Sequence, residues 1–372
     1  MRLLMIAIAL ALLTACSPDS APTENPAATD ATSADATSAD ATAPTSDRAP
    51  SQAATESAAD KPTRLVVYTS RQPHLIEPLF DRYAAETGID IEYINDSEAA
   101  LIERLDAEED KTVADLFMTV DAGNLWHAAE RDLLQPVQSE ALNRAVPAAL
   151  RDDQGRWYGL SVRARTIVYH PDRVAESELS TYEALASGKW SDRLCLRTSK
   201  KVYNQSLVAM LIEHHGEERT EDIVRGWVDN LATGPFSSDT RLIEAMEAGQ
   251  CDVGIVNSYY LGRKLAENPD YPVKLFWANQ ATTGTHVNIS GAGVTRHAPH
   301  PEAAQALLEW LASSEAQNEF AQNNLEFPVN PEVAPRGIVR EWGDFRADDT
   351  PLQIAGKRQA QAVRLMDRAG YR

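Results

Sequence analysis

Basic residues, cysteines and long apolar runs are all scarce in this chain. Lys and Arg number 35 against 55 Asp and Glu, so the formal net charge is -20. This charge argues against nucleic-acid binding, which requires clustered basic surface. After Leu13, no segment is apolar and long enough to cross a membrane as a helix. The chain has three cysteines, and two of them fall in the part expected to fold.

The N-terminus has the pattern of a secretory signal peptide. A single Arg2 precedes an apolar stretch, residues 3–13, which is too short to span a bilayer. The ending Leu-Thr-Ala-Cys resembles a bacterial lipobox, so we expect residues 1–15 to be removed and Cys16 to carry a lipid anchor. The alternative is a plain signal peptide with an incidental Cys16. Ser17 favours sorting to the outer membrane by the enterobacterial rule, but the choice of membrane stays open.

Residues 16–62 predict a disordered tether. Their composition is almost entirely Ala, Thr, Ser, Pro and Asp, and residues 30–43 repeat Asp-Ala-Thr-Ser-Ala nearly unchanged. Such a segment cannot bury enough apolar surface to fold. Residues 63–372 remain, which is enough for two α/β domains.

Cys195 and Cys251 are expected to form a disulfide. An exported protein meets an oxidising compartment, and each of these cysteines lies at the start of a probable strand. Two buried thiols or a thiol metal site are the alternatives.

Strand and helix patterns alternate through the folded part, which predicts mainly parallel sheets with helices on both faces. One run, 157–169, is extended without a turn residue after Gly159, and another, 285–294, is extended and Gly-rich. Two such crossings, with a second sheet domain inserted between them, indicate a two-lobed binding protein that closes on its ligand. Predicted strands are 64–68, 89–94, 114–120, 193–197 and 252–257; predicted helices are 74–87, 99–108, 125–131, 203–214, 241–248, 301–312, 315–323 and 352–368.

Tyr259 and Tyr260 stand together at the carboxyl end of the predicted strand 252–257. Open α/β sheets bind ligands at that edge. Phenols are poor acids or bases at neutral pH because their ordinary pKa is about 10, but phenolates are good ligands for a hard, highly charged cation. The alternative is that the two rings pack in a core or stack on an organic ligand.

Six segments, taken in order, resemble the bacterial periplasmic ferric-iron-binding proteins, which are the substrate-binding components of iron ABC importers. The resemblance covers nearly all of residues 63–372 and implies a periplasmic protein with the type II periplasmic-binding-protein fold: two mixed sheets flanked by helices and joined by hinge strands. The segments are 67–71 (VYTSR), 115–123 (DLFMTVDAG), 159–165 (GLSVRAR), 202–207 (VYNQSL), 252–260 (DVGIVNSYY) and 285–291 (THVNISG).

The resemblance implies a role for six residues. Tyr203, Tyr259 and Tyr260 would bind Fe³⁺ as phenolates, and a synergistic anion such as carbonate would complete the site. We expect three arginines to hold that anion, because a guanidinium grips a planar oxyanion with two parallel hydrogen bonds. Residues 163 and 165 alternate along one strand and so share a face. These arginines are Arg71, Arg163 and Arg165.

We assign residues 63–162 with 284–330 to lobe 1, and residues 163–283 with 331–372 to lobe 2. The implied partner is an inner-membrane ABC permease, and the protein is expected to be a monomer. Many relatives have His-Tyr after the first Ser-Arg, whereas this chain has Gln72-Pro73 followed by His74. We therefore expect three tyrosines completed by anion or water, with His74 as a weak candidate ligand and Asp121 as a helix cap.

Two other functions remain open. The same fold would bind an organic or phosphate-type anion if the arginines were the primary ligands. An enzyme would need a nucleophile or base, and we find no Ser-His-Asp arrangement and no phosphate-binding loop.

Overall fold

The computed structural model describes residues 63–372. The predicted signal peptide, Cys16 and the predicted tether of residues 16–62 lie outside the described residues. Within residues 63–372, no helix is long and apolar enough to cross a membrane.

Two mixed sheets share one strand. The pairing order is β2-β1-β3-β8-β4-β6-β5, and β7 and β9 both pair with β4. Pairings of β1 with β2 and β3, and of β5 with β6, are parallel, whereas β4 and β8 pair antiparallel with their neighbours. The strands are β1 Arg64–Thr69, β2 Asp90–Asn95, β3 Leu116–Thr119, β4 Tyr158–Tyr169, β5 Leu194–Cys195, β6 Val253–Asn257, β7 Lys274–Phe276, β8 Val287–Val294 and β9 Phe327–Pro328.

Strand β4 passes from the first sheet into the second. Its residues up to Ala164 pair with β8, and its residues from Arg165 onward pair with β6. All twelve residues of β4 are buried, as expected for a strand that is covered on both faces. The prediction of a long crossing strand is confirmed.

Helices surround the two sheets, and several begin at a polar cap whose oxygen accepts an amide hydrogen bond. Ser97, Ser139, Ser238 and Ser313 act in this way. The helix over Glu217–Asp229, absent from the sequence prediction, has a polar outer face and buries Ile223, Val224 and Trp227. The helices are α1 Glu77–Thr87, α2 Glu98–Glu108, α3 Ala122–Glu130, α4 Glu140–Ala145, α5 Val202–His215, α6 Glu217–Asp229, α7 Asp239–Glu247, α8 Ser258–Glu267, α9 Pro301–Leu311, α10 Ser314–Asn323, α11 Gly337–Glu341 and α12 Gln353–Arg368.

The first sheet packs on one apolar core and the second sheet on two. Buried side chains from β1 to Ala164 and from Val287 to Leu352 form the first core. In the second sheet, Ile167 and Tyr169 of β4 pack with α5, α6 and the end of α12, whereas Val168 packs with α7 and Val256. Val339 and Leu352 belong to the first core, although the sequence analysis placed 331–372 in lobe 2. The exact lobe bounds stay a prediction.

The predicted disulfide between Cys195 and Cys251 is confirmed. The two Cα atoms are 5.9 Å apart, within the usual range for a bridge. The disulfide lies beside the parallel pair of β5 and β6, where Cys195 is opposite Gly254. It therefore ties β5 to the segment that enters β6.

Removal of the disulfide should destabilise the second sheet. The bridge closes a loop with a sequence separation of 56, and loops of this length contribute about 2–4 kcal/mol, mainly by restricting the unfolded chain. We expect the double variant Cys195→Ala/Cys251→Ala to lose about that much free energy of unfolding in a urea titration. Reduced wild type is the control and should unfold at the variant's midpoint. Equal midpoints for oxidised wild type and the variant would contradict the prediction.

Candidate metal centre

A cavity of about 490 Å³ lies between the two sheets at the crossing strand β4. Elements of the first sheet form one wall, and the N-terminal turns of α5 and α8 form the other. The lining residues on the first wall include Ser70, Arg71, Gln72, Asn95, Asp96, Glu98, Val120 and Glu326. Those on the second wall are Arg197, Lys201, Tyr203, Tyr259, Tyr260 and Arg263, and Arg163 of β4 lies at the boundary.

The structure brings the three predicted tyrosines together. Tyr203 is the second residue of α5, and Tyr259 and Tyr260 are the second and third residues of α8. The hydroxyl oxygens of Tyr203 and Tyr259 are 3.5 Å apart, and the ring centroids of Tyr259 and Tyr260 are 4.3 Å apart. Because the N-terminal end of a helix favours negative charge, both helices favour phenolate formation here.

The Tyr259 phenol is protonated before any cation binds. Burial raises the pKa of Tyr259 well above its ordinary value of 10.0, the neighbouring phenols of Tyr203 and Tyr260 raise it further, and Arg163 opposes them. Tyr259 is only 6% exposed. A metal ion that binds this oxygen must therefore displace a proton.

Four cationic side chains surround the phenols. The charged groups of Arg163, Arg197 and Lys201 lie 5.7, 5.5 and 4.9 Å from the centroid of the Tyr203 ring. Arg263 lies 5.1 Å from the ring centroid of Tyr259. Such contacts are attractive for a neutral ring, and the same positive charges would stabilise a phenolate.

The sequence analysis missed three of these cations, Arg197, Lys201 and Arg263. Spacing could have identified two of them. Arg263 follows Tyr259 by four residues on one helix, which places the two on the same face, and Lys201 stands two residues before Tyr203. Arg197 is the last residue of the predicted strand 193–197, at the edge where open α/β sheets bind ligands. In the structure that strand ends at Cys195, and Arg197 forms an isolated bridge with Phe236.

Arg71 and Arg163 reach the cavity as predicted, and they lie beside a buried carboxylate. Arg71 donates from Nη2 to Glu326 Oε2 at 3.0 Å, and Ser161 donates to the same oxygen. Burial raises the pKa of Glu326, but Arg71, Arg163 and Ser161 outweigh it and hold the pKa below its ordinary value. The Nε atoms of Arg71, Arg163 and Arg197 are buried without a hydrogen-bond partner.

Arg165 is the exception among the predicted arginines, because it does not line the cavity. It is 1% exposed and makes five hydrogen bonds, to Asn204, Asp239, Asn257 and the carbonyl of Ile255. A guanidinium has five N–H donors, so none is left for an anion. The expectation from strand alternation fails because β4 leaves one sheet for the other between residues 163 and 165, and the second sheet's helices cover Arg165.

Asp121 caps a helix, as predicted. Its Oδ1 accepts the amide of Asn124 at 3.0 Å, and its Oδ2 accepts from Asn288 at 2.7 Å. His74 is exposed and does not line the cavity, whereas the neighbouring Gln72 does. Within residues 63–372, no group of three or more His, Cys, Asp and Glu side chains could hold a metal ion. The phenols are therefore the best candidate ligands in the described part of the chain.

Comparison with known proteins places the chain in a family. The model of a family described as bacterial extracellular solute-binding proteins matches residues 111–340. The chain belongs to this family. Among the relatives of this solute-binding protein, iron uptake protein A1 of Synechocystis sp. is 42% identical over 312 residues, covering 82% of this chain and 87% of the relative.

Solved structures establish the fold of this solute-binding protein. The Trichodesmium FutA (IdiA) protein in complex with iron and citrate ligands is 42% identical, with a TM-score of 0.80 over 83% of this chain and 100% of that chain. Ferric iron-binding protein A of Mannheimia haemolytica, in an open conformation, is 33% identical, with a TM-score of 0.77 over 83% of this chain and 99% of that chain. The predicted two-lobed type II periplasmic-binding-protein fold is thereby confirmed.

The buried pair of Arg71 and Glu326 should contribute to stability in a pH-dependent way. Because the folded pKa of Glu326 is lowered, its contribution is present above the unfolded value of about 4.3 and is lost as the pH falls through the folded pKa. We expect Glu326→Gln to cost about 3–5 kcal/mol at pH 7, since it leaves a buried guanidinium uncompensated.

Urea unfolding at pH 7 and at pH 3.5 measures this effect. The difference between wild type and Glu326→Gln should shrink at the lower pH. Glu92→Gln is the control, because the pair of Glu92 with Arg64 is exposed and such pairs contribute about 0–1 kcal/mol. A variant as stable as wild type at pH 7 would contradict the prediction.

Proposed function

We propose that this chain is an extracytoplasmic ferric-iron-binding protein that holds Fe³⁺ between its lobes with the phenolates of Tyr203, Tyr259 and Tyr260. The observation that carries the proposal is the convergence of three phenols at one cavity, two of them with oxygens 3.5 Å apart. Three phenolates neutralise the charge of Fe³⁺ and supply hard oxygen donors. Relatives at about 42% identity are an iron uptake protein and a protein solved with iron and citrate.

A bound anion completes the proposed site. Five basic and three acidic side chains line the cavity, which leaves a formal excess of two positive charges. Fe³⁺ with three phenolates is neutral, so the excess remains when iron binds and favours a dianion such as carbonate or part of a chelator. Arg71 and Arg163 line the cavity beside Glu326 and are the groups we assign to this anion. Arg165 is not retained in this role.

The proposed role is transport without catalysis. The protein would pass its iron to an inner-membrane ABC permease as a monomer. A lipid at Cys16 and the tether of residues 16–62 would hold it in the periplasm while the lobes remain free to meet the permease. This part of the proposal rests on the signal-peptide and lipobox pattern and on the solute-binding family.

The second candidate function is the binding of an organic or phosphate-type anion without metal. The five basic side chains around the cavity favour it. Anion binding does not explain why three phenols converge, because tyrosine rings can stack on a ligand without their oxygens lying close together. Iron is therefore the better supported cargo.

Visible absorption decides between the two functions. We expect ferric citrate to produce a broad phenolate-to-iron charge-transfer band that saturates at one equivalent. Tyr259→Phe should lose most of this band, because it removes one of three phenolate donors. Citrate without iron should bind far more weakly and produce no colour.

Tyr83→Phe is the matched control for this titration. Tyr83 is 3% exposed on α1 and packs in the first apolar core, away from the cavity. Its variant should keep the wild-type band. A colourless wild type that still binds citrate tightly would overturn the iron proposal and favour the anion function.

Iron binding should release protons, because the raised pKa of Tyr259 keeps its phenol protonated in the empty protein. The affinity should therefore rise with pH, by up to about tenfold per pH unit for each proton displaced. Titration of released acid, with the same ferric citrate stock, should give about one proton fewer for Tyr259→Phe than for wild type. Tyr83→Phe should match wild type. Equal proton release from Tyr259→Phe and wild type would exclude Tyr259 as a ligand that loses its proton.

A further inference from the structure

Arg165 bonds to residues near the start of both helices that carry the phenols, and the metal site as proposed does not use it. Its backbone is opposite Asn257 in the pairing of β4 with β6. Its guanidinium points into the second lobe, where it contacts the beginnings of two helices that carry the tyrosines. We propose that Arg165, with Asp239, is a positioning residue that ties the first turns of α5 and α8 together and so sets the geometry of the three phenols. This inference rests on the proposed function.

The guanidinium bonds to one residue near the start of each of the two helices. Nε and Nη2 of Arg165 donate to Asn204 Oδ1 at 3.0 and 2.6 Å, and Asn204 follows Tyr203 in α5. Nη1 donates to Asn257 Oδ1 at 3.0 Å, and Asn257 is the N-cap residue of α8. A planar fork with fixed donor directions thereby holds the starts of two helices that are distant in sequence.

Asp239 closes the network from the other side. Its Oδ2 accepts from Arg165 Nη1 at 3.1 Å and from the amide of Asn257 at 3.1 Å, and the carboxylate is fully buried. Its other oxygen is 3.9 Å from Nη1 of Arg197, and the same Nη1 is 3.5 Å from the hydroxyl of Tyr260. The buried pair is thus connected to the cavity wall through Arg197.

Asn204 also anchors the loop before α5. Its Nδ2 donates to the carbonyls of Arg197 and Thr198 at 2.9 and 3.0 Å. Both atoms of its amide are therefore engaged, and its side chain is 3% exposed. Removal of this side chain would release α5 from Arg165 while the pair of Arg165 with Asp239 remained intact.

Positioning matters because the three phenolates must meet one metal ion. Metal sites require ligands held within about 0.5 Å of the productive geometry by a supporting layer of hydrogen bonds. Lys at position 165 would keep the positive charge near Asp239 but could not fork to both Asn204 and Asn257. Arg165→Lys therefore disturbs the positions of the two helix starts while it keeps the positive charge beside Asp239.

The experiment compares the ferric charge-transfer band and the iron affinity of wild type, Arg165→Lys and Asn204→Ala, each in the full-length purified protein. We expect both variants to bind iron at least tenfold more weakly in competition with citrate, and to shift the wavelength of the band. A purely stabilising role would lower the unfolding midpoint without moving the band of the folded protein. If Arg165→Lys does not fold, the band and the iron affinity of Asn204→Ala test the inference.

Arg156→Lys is the matched control, because Arg156 is a partly buried arginine that pairs with the buried Asp152 in the first lobe, outside the cavity. It should be destabilised, yet keep the wild-type band and affinity. Folded Arg165→Lys or Asn204→Ala with a wild-type band and affinity would overturn the inference and leave the iron site standing. A wild type without a band would overturn the proposed function, and this inference with it.

Discussion

The candidate site depends on the proximity of two helix N-termini, those of α5 and α8, which are far apart in the chain but close together in the second lobe. The first turn of α5 carries Tyr203, and that of α8 carries Tyr259 and Tyr260. Strand β6 leads directly into α8, and the disulfide ties β5 to the segment before β6. The positions of the phenols thus follow from sheet register and from the buried contacts behind the helices.

Arg163 and Arg165 of the crossing strand and Arg71, which follows β1, differ in what their donors do. Arg165 donates hydrogen bonds from all five of its N–H groups to protein acceptors. Arg71 and Arg163 each have a buried Nε without a hydrogen-bond partner. A guanidinium whose five donors are all engaged has none left for a ligand, so Arg165 supports the structure and does not bind the anion.

Much of the architecture was predictable from apolar patterns and cap residues. The run 157–169 lacks turn residues and is the crossing strand, and Asp121 directly precedes a helix and caps it. The role of Arg165 was not predictable, because alternation shows which residues share a face but not which neighbour covers that face. Arg197, the last residue of the predicted strand 193–197, was missed because it reaches the phenols only through tertiary contacts, beyond the point where that strand ends in the structure. The overall pattern also favoured mainly parallel sheets, whereas β4 and β8 pair antiparallel because each must run back between the lobes.

The excess of basic side chains around the cavity determines the order in which cargo and anion arrive. The side chains that line the empty cavity carry a formal excess of two positive charges, which repels a bare trivalent cation and attracts negative species, even though the chain as a whole has a formal net charge of -20. Electrostatic attraction of this kind acts on the encounter before any bond forms. Iron that travels as an anionic complex therefore enters more readily than free Fe³⁺. The same positive excess remains once Fe³⁺ is bound by three phenolates, so it continues to hold the anion beside the metal.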